Sequence, residues 1–317
     1  MSKLLITGGT GFIGKELCRN LKFNKYLFQI TTRIHHSKKN DVKSFNIGEI
    51  NSATNWTDAL VETDCVIHCA AKTHVMKEEE KNSLATYRKI NFDGTINLAE
   101  QAAAHGVRRL IFISSVKVNG EYTVGLSKFK YNDIPKPDNS YSISKWEAEQ
   151  GLWDVSQRTG LEIVIIRAPL VYGPRVKGNF LRLLDLVYQQ IPLPFAKINN
   201  LRSFIALDNL IDLIICCINH PKAKGKTFLV SDDEDLSTPE LIRKLSKFMH
   251  KSPRLFKVPQ IVIRLIGSLT RKSLLVKRLF SSLRVDNLYT REILGWSPKL
   301  NVDKALEKTV RWYLKNR

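Results

Sequence analysis

The sequence contains no uncharged apolar run of about 18 residues, so no membrane-crossing helix is expected. Met1-Ser2-Lys3 passes at once into the strand-like Leu4-Leu5-Ile6, which is not the layout of a secretory leader, and a cytoplasmic protein is expected. Cysteine is scarce and odd in number. Cys18, Cys65, Cys69, Cys216 and Cys217 lie in apolar neighbourhoods, at spacings that suit neither a disulfide framework nor a zinc site. They read as plain buried thiols, and no metal site is expected. Acidic residues are also short, 30 against 50 Lys and Arg, which leaves a net charge of +20. Such a charge suits nucleic acid, an anionic membrane surface or polyanionic small molecules. The cations are spread along the chain without the interleaved aromatics of a single-strand binding face, so no nucleic-acid partner is expected. What remains is an ordinary globular composition, 43% hydrophobic and 25% charged, long enough for one large α/β domain or two lobes sharing a cleft.

The first motif follows a short apolar strand, Lys3 to Thr7. Thr7-Gly8-Gly9-Thr10-Gly11-Phe12-Ile13-Gly14 runs directly into the helical Lys15-Glu16-Leu17-Cys18-Arg19-Asn20-Leu21. Gly8, Gly11 and Gly14 suit three separate tasks: a tight turn, close backbone approach to a pyrophosphate, and close helix–strand packing. The following helix would offer its free N–H groups and positive dipole end to the phosphates. The pattern is specific because it lies between a strand and a helix.

A second strand, Leu27 to Thr32, ends in Thr31-Thr32-Arg33. An NAD enzyme usually places a carboxylate near this point to hold the ribose 2′-hydroxyl. A carboxylate would repel a 2′-phosphate, whereas Arg33 could pair with one, so NADP(H) is expected over NAD(H), with NAD(H) kept as the alternative. After Gly48-Glu49-Ile50 and a helical stretch comes the strand Cys65 to His68, followed by Cys69-Ala70-Ala71, whose small side chains let a cofactor lie close. His68, ending an apolar strand, is expected to be structural and bonded to the backbone.

A helix over 86–104 contains Asn91, and a buried strand, Leu110 to Ile113, ends in Ser114-Ser115. Tyr141-Ser142-Ile143-Ser144-Lys145 then opens another helix, with Tyr141 and Lys145 four apart on one face. A free tyrosine, with a pKa near 10, is a poor base at neutral pH. A lysine cation within about 4–6 Å would lower that value by ~1–3 units. Tyr141 could then exchange a proton with a sugar oxygen while Ser115 hydrogen-bonds it.

Glycine cradle, strand-end serine and Tyr–Lys helix, in that order, resemble an extended short-chain dehydrogenase/reductase of the NAD-dependent epimerase/dehydratase family. Arg167-Ala168-Pro169-Leu170-Val171-Tyr172-Gly173-Pro174, Arg202-Ser203-Phe204-Ile205 before Asp208, and Leu294-Gly295-Trp296-Ser297-Pro298 extend the resemblance along essentially the whole chain. The resemblance implies an α/β fold: a Rossmann-type doubly wound parallel sheet formed mostly by residues 1–165, and a smaller α/β substrate lobe mainly from 166–317. It assigns Ser115, Tyr141 and Lys145 to catalysis. Gly8, Thr10, Gly11, Phe12, Ile13, Arg33, Glu49, Ile50, Ala70, Ala71, Asn91 and Pro169, with Tyr141 and Lys145, are assigned to the cofactor. Ser115, Lys117, Asn179, Arg202 and Arg284 are assigned to a UDP-sugar, and a helix-paired homodimer is implied.

Departures narrow the reaction. Relatives that dehydrate the sugar carry Asp-Glu directly after the strand-end serine or threonine, where this chain has Val116-Lys117, so dehydration is not expected. The run Ser114 to Glu121 and the segment Arg278 to Asp286 resemble a bacterial subgroup that includes reductases of UDP-4-keto-6-deoxy-N-acetylglucosamine in O-antigen and capsule synthesis. Carbon-4 reduction is therefore the first expectation and carbon-4 epimerisation the second. Relatives often have asparagine at Leu170 and tyrosine at Asn119, and the usual late Arg-Pro-Gly element is missing. Two readings of other classes stand beside these. A non-catalytic dinucleotide sensor would not need Ser115, Tyr141 and Lys145. A peripheral membrane contact would use the apolar and cationic stretch 253–284, which otherwise reads as substrate-lobe helices with solvated basic faces.

Overall fold

The computed structural model describes residues 3–33, 42–73, 83–269, 276 and 279–317. The first strand, β1 (Leu4–Thr7), is buried along its whole length, as a central parallel strand must be. Its side chains alternate between two cores. Leu4 and Ile6 join one cluster and Leu5 the other, because successive residues of a strand face opposite sides. Helix α1 (Phe12–Phe23) contributes Leu17 and Leu21 to the first cluster.

The chain continues through β2 (Phe28–Thr32), β3 (Ser44–Asn46), α2 (Thr57–Leu60), β4 (Cys65–His68) and α3 (Ser83–Arg88). The helix expected over 86–104 instead starts at 83 and is broken by a widened π turn, Lys89–Asp93, before α4 (Gly94–Ala104). Gly94 lies so close to Ile50 that a Cβ would collide with it, and the wide turn aims Asn91 inward. Then follow β5 (Arg109–Ser115), α5 (Ser140–Thr159), β6 (Glu162–Ala168), β7 (Leu170–Tyr172), α6 (Gly178–Tyr188), β8 (Phe204–Ala206), α7 (Leu207–Asn219) and β9 (Lys226–Leu229). The last described helices are α8 (Thr238–Phe248), α9 (Gln260–Leu269), α10 (Leu288–Leu294) and α11 (Val302–Lys315).

Seven strands form one sheet in the order β3-β2-β1-β4-β5-β6-β9, and every pairing is parallel. Helices α1 and α7 cover one face, and α4 and α5 the other, the doubly wound arrangement of a Rossmann-type α/β fold. The order reverses at β1, whose neighbours are β2 and β4, so a crevice opens at the carboxyl ends of these strands. A separate parallel pair, β7 and β8, packs with α6, α8 and α11 around Tyr172, Phe180, Leu241 and Leu306. Strand β6 runs on to Ala168, three residues beyond the expected division at 165, and β9 returns to the main sheet from the second half of the chain. No helix among the described residues is long and apolar enough to cross a membrane. Ile261, Leu265 and Leu269 are exposed on α9, whereas Ser273 to Leu275, Lys277 and Arg278 lie outside the described residues.

Candidate active site

The glycine loop leaves β1 at its carboxyl end. Gly8 turns with φ +68°, and a Cβ there would lie 2.8 Å from the Ala70 nitrogen, so the turn admits no side chain. Gly14 lies against the Gly8 carbonyl, where any Cβ would overlap it. Gly11 caps α1 and would meet only the Gly8 oxygen. No side chain caps this helix, and its first turn holds no acidic residue. Thr10 and Gly11 are exposed beside it, with Phe12 and Ile13 opening the helix. The residues fit a diphosphate: bare N–H groups, a positive helix end and no Cβ in the way. Around the same edge stand Arg33, exposed at the end of β2, Ala70 and Ala71 after β4, and buried Pro169 after β6. Ile50 is buried and Glu49 exposed in the loop packed on α4.

The expected backbone partner of His68 is not found; two hydroxyls hold it instead. Thr95 Oγ1 gives its proton to the Asn91 carbonyl (2.7 Å), so it accepts from His68 Nε2–H at 3.1 Å. That leaves His68 Nδ1 to accept from the Thr7 hydroxyl at 2.6 Å, while Thr7 Oγ1 accepts from the Ala70 N–H at 3.3 Å. One imidazole thus joins the glycine loop, the Ala70 turn and the π turn. Burial, with Lys145 adding to it, pushes the His68 pKa down to about 3. The unfolded chain therefore binds more protons than the folded one, and this stabilisation is complete above about pH 6.5 and lost as pH falls towards 3. In urea titrations, wild type is expected to lose about 1.4 kcal/mol per pH unit more than His68→Gln below pH 6.5. Parallel pH dependences would refute a neutral buried imidazole.

Asn91 ties this edge to α5. Its amide accepts from Lys72 N (2.8 Å) and donates to Lys72 O (3.1 Å) and Ser144 Oγ (3.0 Å). The start of α5 is set by a reciprocal cap in which Asn139 Oδ1 accepts from Ser142 N and Ser142 Oγ accepts from Asn139 N. Tyr141 and Lys145 follow one turn apart. Ser115, at the end of β5, lies close enough to the Tyr141 phenol to draw its pKa down, and Tyr87 meets the Tyr141 ring edge-on at 6.1 Å.

The expected lowering of the tyrosine pKa by the lysine is not what the protein groups produce. Burial pushes Tyr141 up to about 12, with the Ser115 hydrogen bond as the opposing influence. Lys145 is itself buried and lies 3.6 Å over the Phe112 ring. Burial brings its pKa down to about 7. The reason is desolvation, which disfavours both the phenolate and the ammonium.

The substrate assignments fall into two groups. Lys117 N donates to Ser115 Oγ, and Lys117 Nζ pairs with Glu121 at 3.2 Å. Glu121 in turn accepts from Asn139, so this group is continuous with the cap of α5. Arg202 and Arg284 belong to a second strip, where Arg202 bridges to Leu236 and to Leu283, the neighbour of Arg284. Arg202 Nη1 reaches Ser281 O at 3.2 Å, while Arg284 pairs with Asp235 at 2.7 Å and donates to Leu126 O. Asn179 stands exposed on the first turn of α6. Nothing in the sequence marks Tyr87 or Phe112, because aromatic contacts to the Tyr141–Lys145 face depend on tertiary packing.

Sheet, cradle and Ser–Tyr–Lys edge together define a doubly wound α/β enzyme of the dinucleotide-dependent kind. The chain matches the model of the NAD dependent epimerase/dehydratase family over residues 4–231 and belongs to that family. It is 43% identical over 313 residues to a UDP-glucose 4-epimerase of Vibrio cholerae, covering 98% of this chain and 95% of that one. Among solved structures, a UDP-glucuronic acid 4-epimerase from Bacillus cereus, in complex with UDP-glucuronic acid and NAD, superposes with a TM-score of 0.81 at 22% identity, covering 99% of this chain and 100% of that one. A UDP-glucose 4-epimerase with UDP-glucose from Thermotoga maritima gives 0.78 at 21% identity, over 99% of both chains. At these identities the structures speak for the fold.

Proposed function

We propose that this enzyme moves hydride between a nicotinamide cofactor and carbon 4 of a UDP-sugar, and that its working direction is reduction of a UDP-4-keto-6-deoxy-N-acetylhexosamine. The observation that carries the proposal is the placement of Tyr141, one helical turn before Lys145 at the start of α5 and beside the strand end that carries Ser115, with its phenol protonated at neutral pH and so able to give a proton. Ser115 would orient the keto oxygen, Tyr141 would give it a proton, and Lys145 would hold the nicotinamide ribose. The bound nicotinamide supplies the hydride. Lys117 and Asn179, with Arg202 and Arg284, would hold the UDP-sugar, which assigns the sugar-nucleotide site mainly to 166–317 and the cofactor to the main sheet. The same reading implies surface-polysaccharide synthesis in the cytoplasm.

Arg33, where an acid would hold a 2′-hydroxyl, supports NADPH, the cofactor cells keep for reduction. Arg33→Ala is expected to weaken NADPH binding about 10–100-fold, the value of hydrogen bonds to a charged group, and to change NADH binding less than about twofold. Calorimetric titration of both cofactors checks this; equal losses would remove the NADPH preference. A second reading, carbon-4 epimerisation with NAD, is favoured by the 43% identity to the Vibrio cholerae protein. Incubation with the 4-keto sugar and NADPH or NADH separates the two. Oxidation of the cofactor supports reduction. Interconversion of UDP-glucose or UDP-N-acetylglucosamine with the galacto epimers, without net oxidation, supports epimerisation.

A further inference from the structure

One turn beyond Lys145 on α5 lies Glu149, fully buried, in a cluster that the proposed proton path does not use. Its carboxylate accepts Arg167 Nη2 at 2.6 Å and Arg167 Nε at 3.1 Å on both oxygens, and the Ser114 hydroxyl donates to it as well. Arg167 Nη1 donates to Asn119 Oδ1 at 3.0 Å, and Asn119 Nδ2 donates to Lys130 O at 3.0 Å. Arg167 and Asn119 are 4% and 2% exposed, so the cluster is closed from water.

Register explains the assembly. Ser114 on β5 pairs directly with Arg167 on β6, so both side chains reach the same side of the sheet as Phe112, two residues earlier. Helix α5 packs on that side, with Lys145 over Phe112 and Glu149 over Ser114 and Arg167. Asn119 is the amide that closes the third edge of the guanidinium. A buried ion pair of this kind contributes little net stability, yet breaking it from one side is strongly destabilising, because an uncompensated charge is left buried. Its value has to be sought elsewhere.

Among the described residues, the charged and titratable groups facing Lys145 are few. From its own helix come Tyr141 and Glu149, from the end of β4 come His68 and Cys69, and from β6, beyond Glu149, comes Arg167. His68 is held neutral and burial pushes the Cys69 thiol up to about 12, so Glu149 is the one anion of the set.

We propose that Glu149 is a positioning residue for Lys145: clamped by Ser114 and by Arg167, which Asn119 holds in turn, its carboxylate favours the ammonium form of the buried lysine and fixes the height of α5 over the strand ends. The proposal rests on Lys145 being a cofactor-site residue, and it holds for reduction and epimerisation alike. Lys145 falls to about 7 under burial, and Glu149 is the largest influence opposing that fall. Removing the carboxylate therefore moves the lysine titration down, which leaves a neutral amine at physiological pH.

The test is a titration of the ε-CH2 signal of Lys145 in 13C-lysine-labelled full-length protein, assigned by its loss in Lys145→Arg, beside thermal unfolding of each variant. Glu149→Gln keeps the shape, and in it the midpoint should fall by about one pH unit, within the usual effect of a near charge. The melting temperature should fall with it, because Arg167 is left unpaired. In Glu149→Gln/Arg167→Gln the melting temperature should recover while the lysine midpoint stays low. An unchanged midpoint in the single variant, or one that recovers with stability in the double variant, overturns the proposal and leaves the cluster purely structural. Cofactor affinity of Lys145→Ala is read alongside. If it equals wild type, the assignment of Lys145 to the cofactor site fails, a result separate from either lysine midpoint.

Discussion

Tyr141→Phe is expected to lower kcat by roughly 10²–10⁴-fold, the usual contribution of a positioned proton donor. The substitution removes one hydroxyl and leaves the ring, its edge contact with Tyr87 and the helix start capped by Asn139. Cofactor affinity is therefore expected to stay within about twofold, since the cradle and Lys145 are untouched. Comparing kcat and cofactor binding for the two proteins decides the matter, and a kcat within tenfold of wild type would move the proton to another group. The loss should persist at every pH, because a missing donor cannot be restored by titration. Ser115→Ala, which removes only the partner of that donor, should fall short of it.

The second large effect is Gly14→Ala. A single methyl there would be forced against the Gly8 carbonyl, and neither backbone can yield without moving α1 from β1. Overpacking of this kind typically costs about 1–3 kcal/mol. The displacement also moves the N–H groups of Phe12 and Ile13, so a loss of cofactor affinity of more than tenfold is expected at a temperature where the fold survives. Fluorescence titration with the reduced cofactor, beside a thermal melt, measures both. Unimpaired binding would mean that the cradle does not hold the diphosphate. Gly11→Ala is the informative control, since its Cβ meets only the Gly8 oxygen at 3.1 Å and the effect should be smaller.

Much of this architecture was legible because it is local. The glycine spacing, the apolar strands and the four-residue step from Tyr141 to Lys145 are short-range patterns with backbone causes. What escaped depends on register and burial. Nothing in the letters near Arg167 says that Ser114 lies opposite it, and that pairing is what gathers Glu149 and Asn119. The π turn at Lys89–Asp93 likewise carries no mark in the letters that would set it apart from the α-helix on either side. The Tyr141 pKa moves opposite to the expected direction for the same reason: spacing places two side chains on one face, but only burial decides how strongly each resists being charged. His68 is structural, as the end of an apolar strand suggests, yet its partners, two threonines from distant segments, have no sequence signature.

The late return of β9 bears on how the chain is made. Residues up to 168 build six strands, but the outer edge of β6 stays unpaired until Lys226–Leu229 emerges from the ribosome, some seconds later at ~5–20 residues per second. During that interval a buried-type strand, with Val164 and Ile166 destined for the interior, shows its open backbone to other chains. Nascent copies crowded on one message are therefore most prone to stick to each other at β6, and a chaperone acting there would have to release the edge once Phe228 arrives.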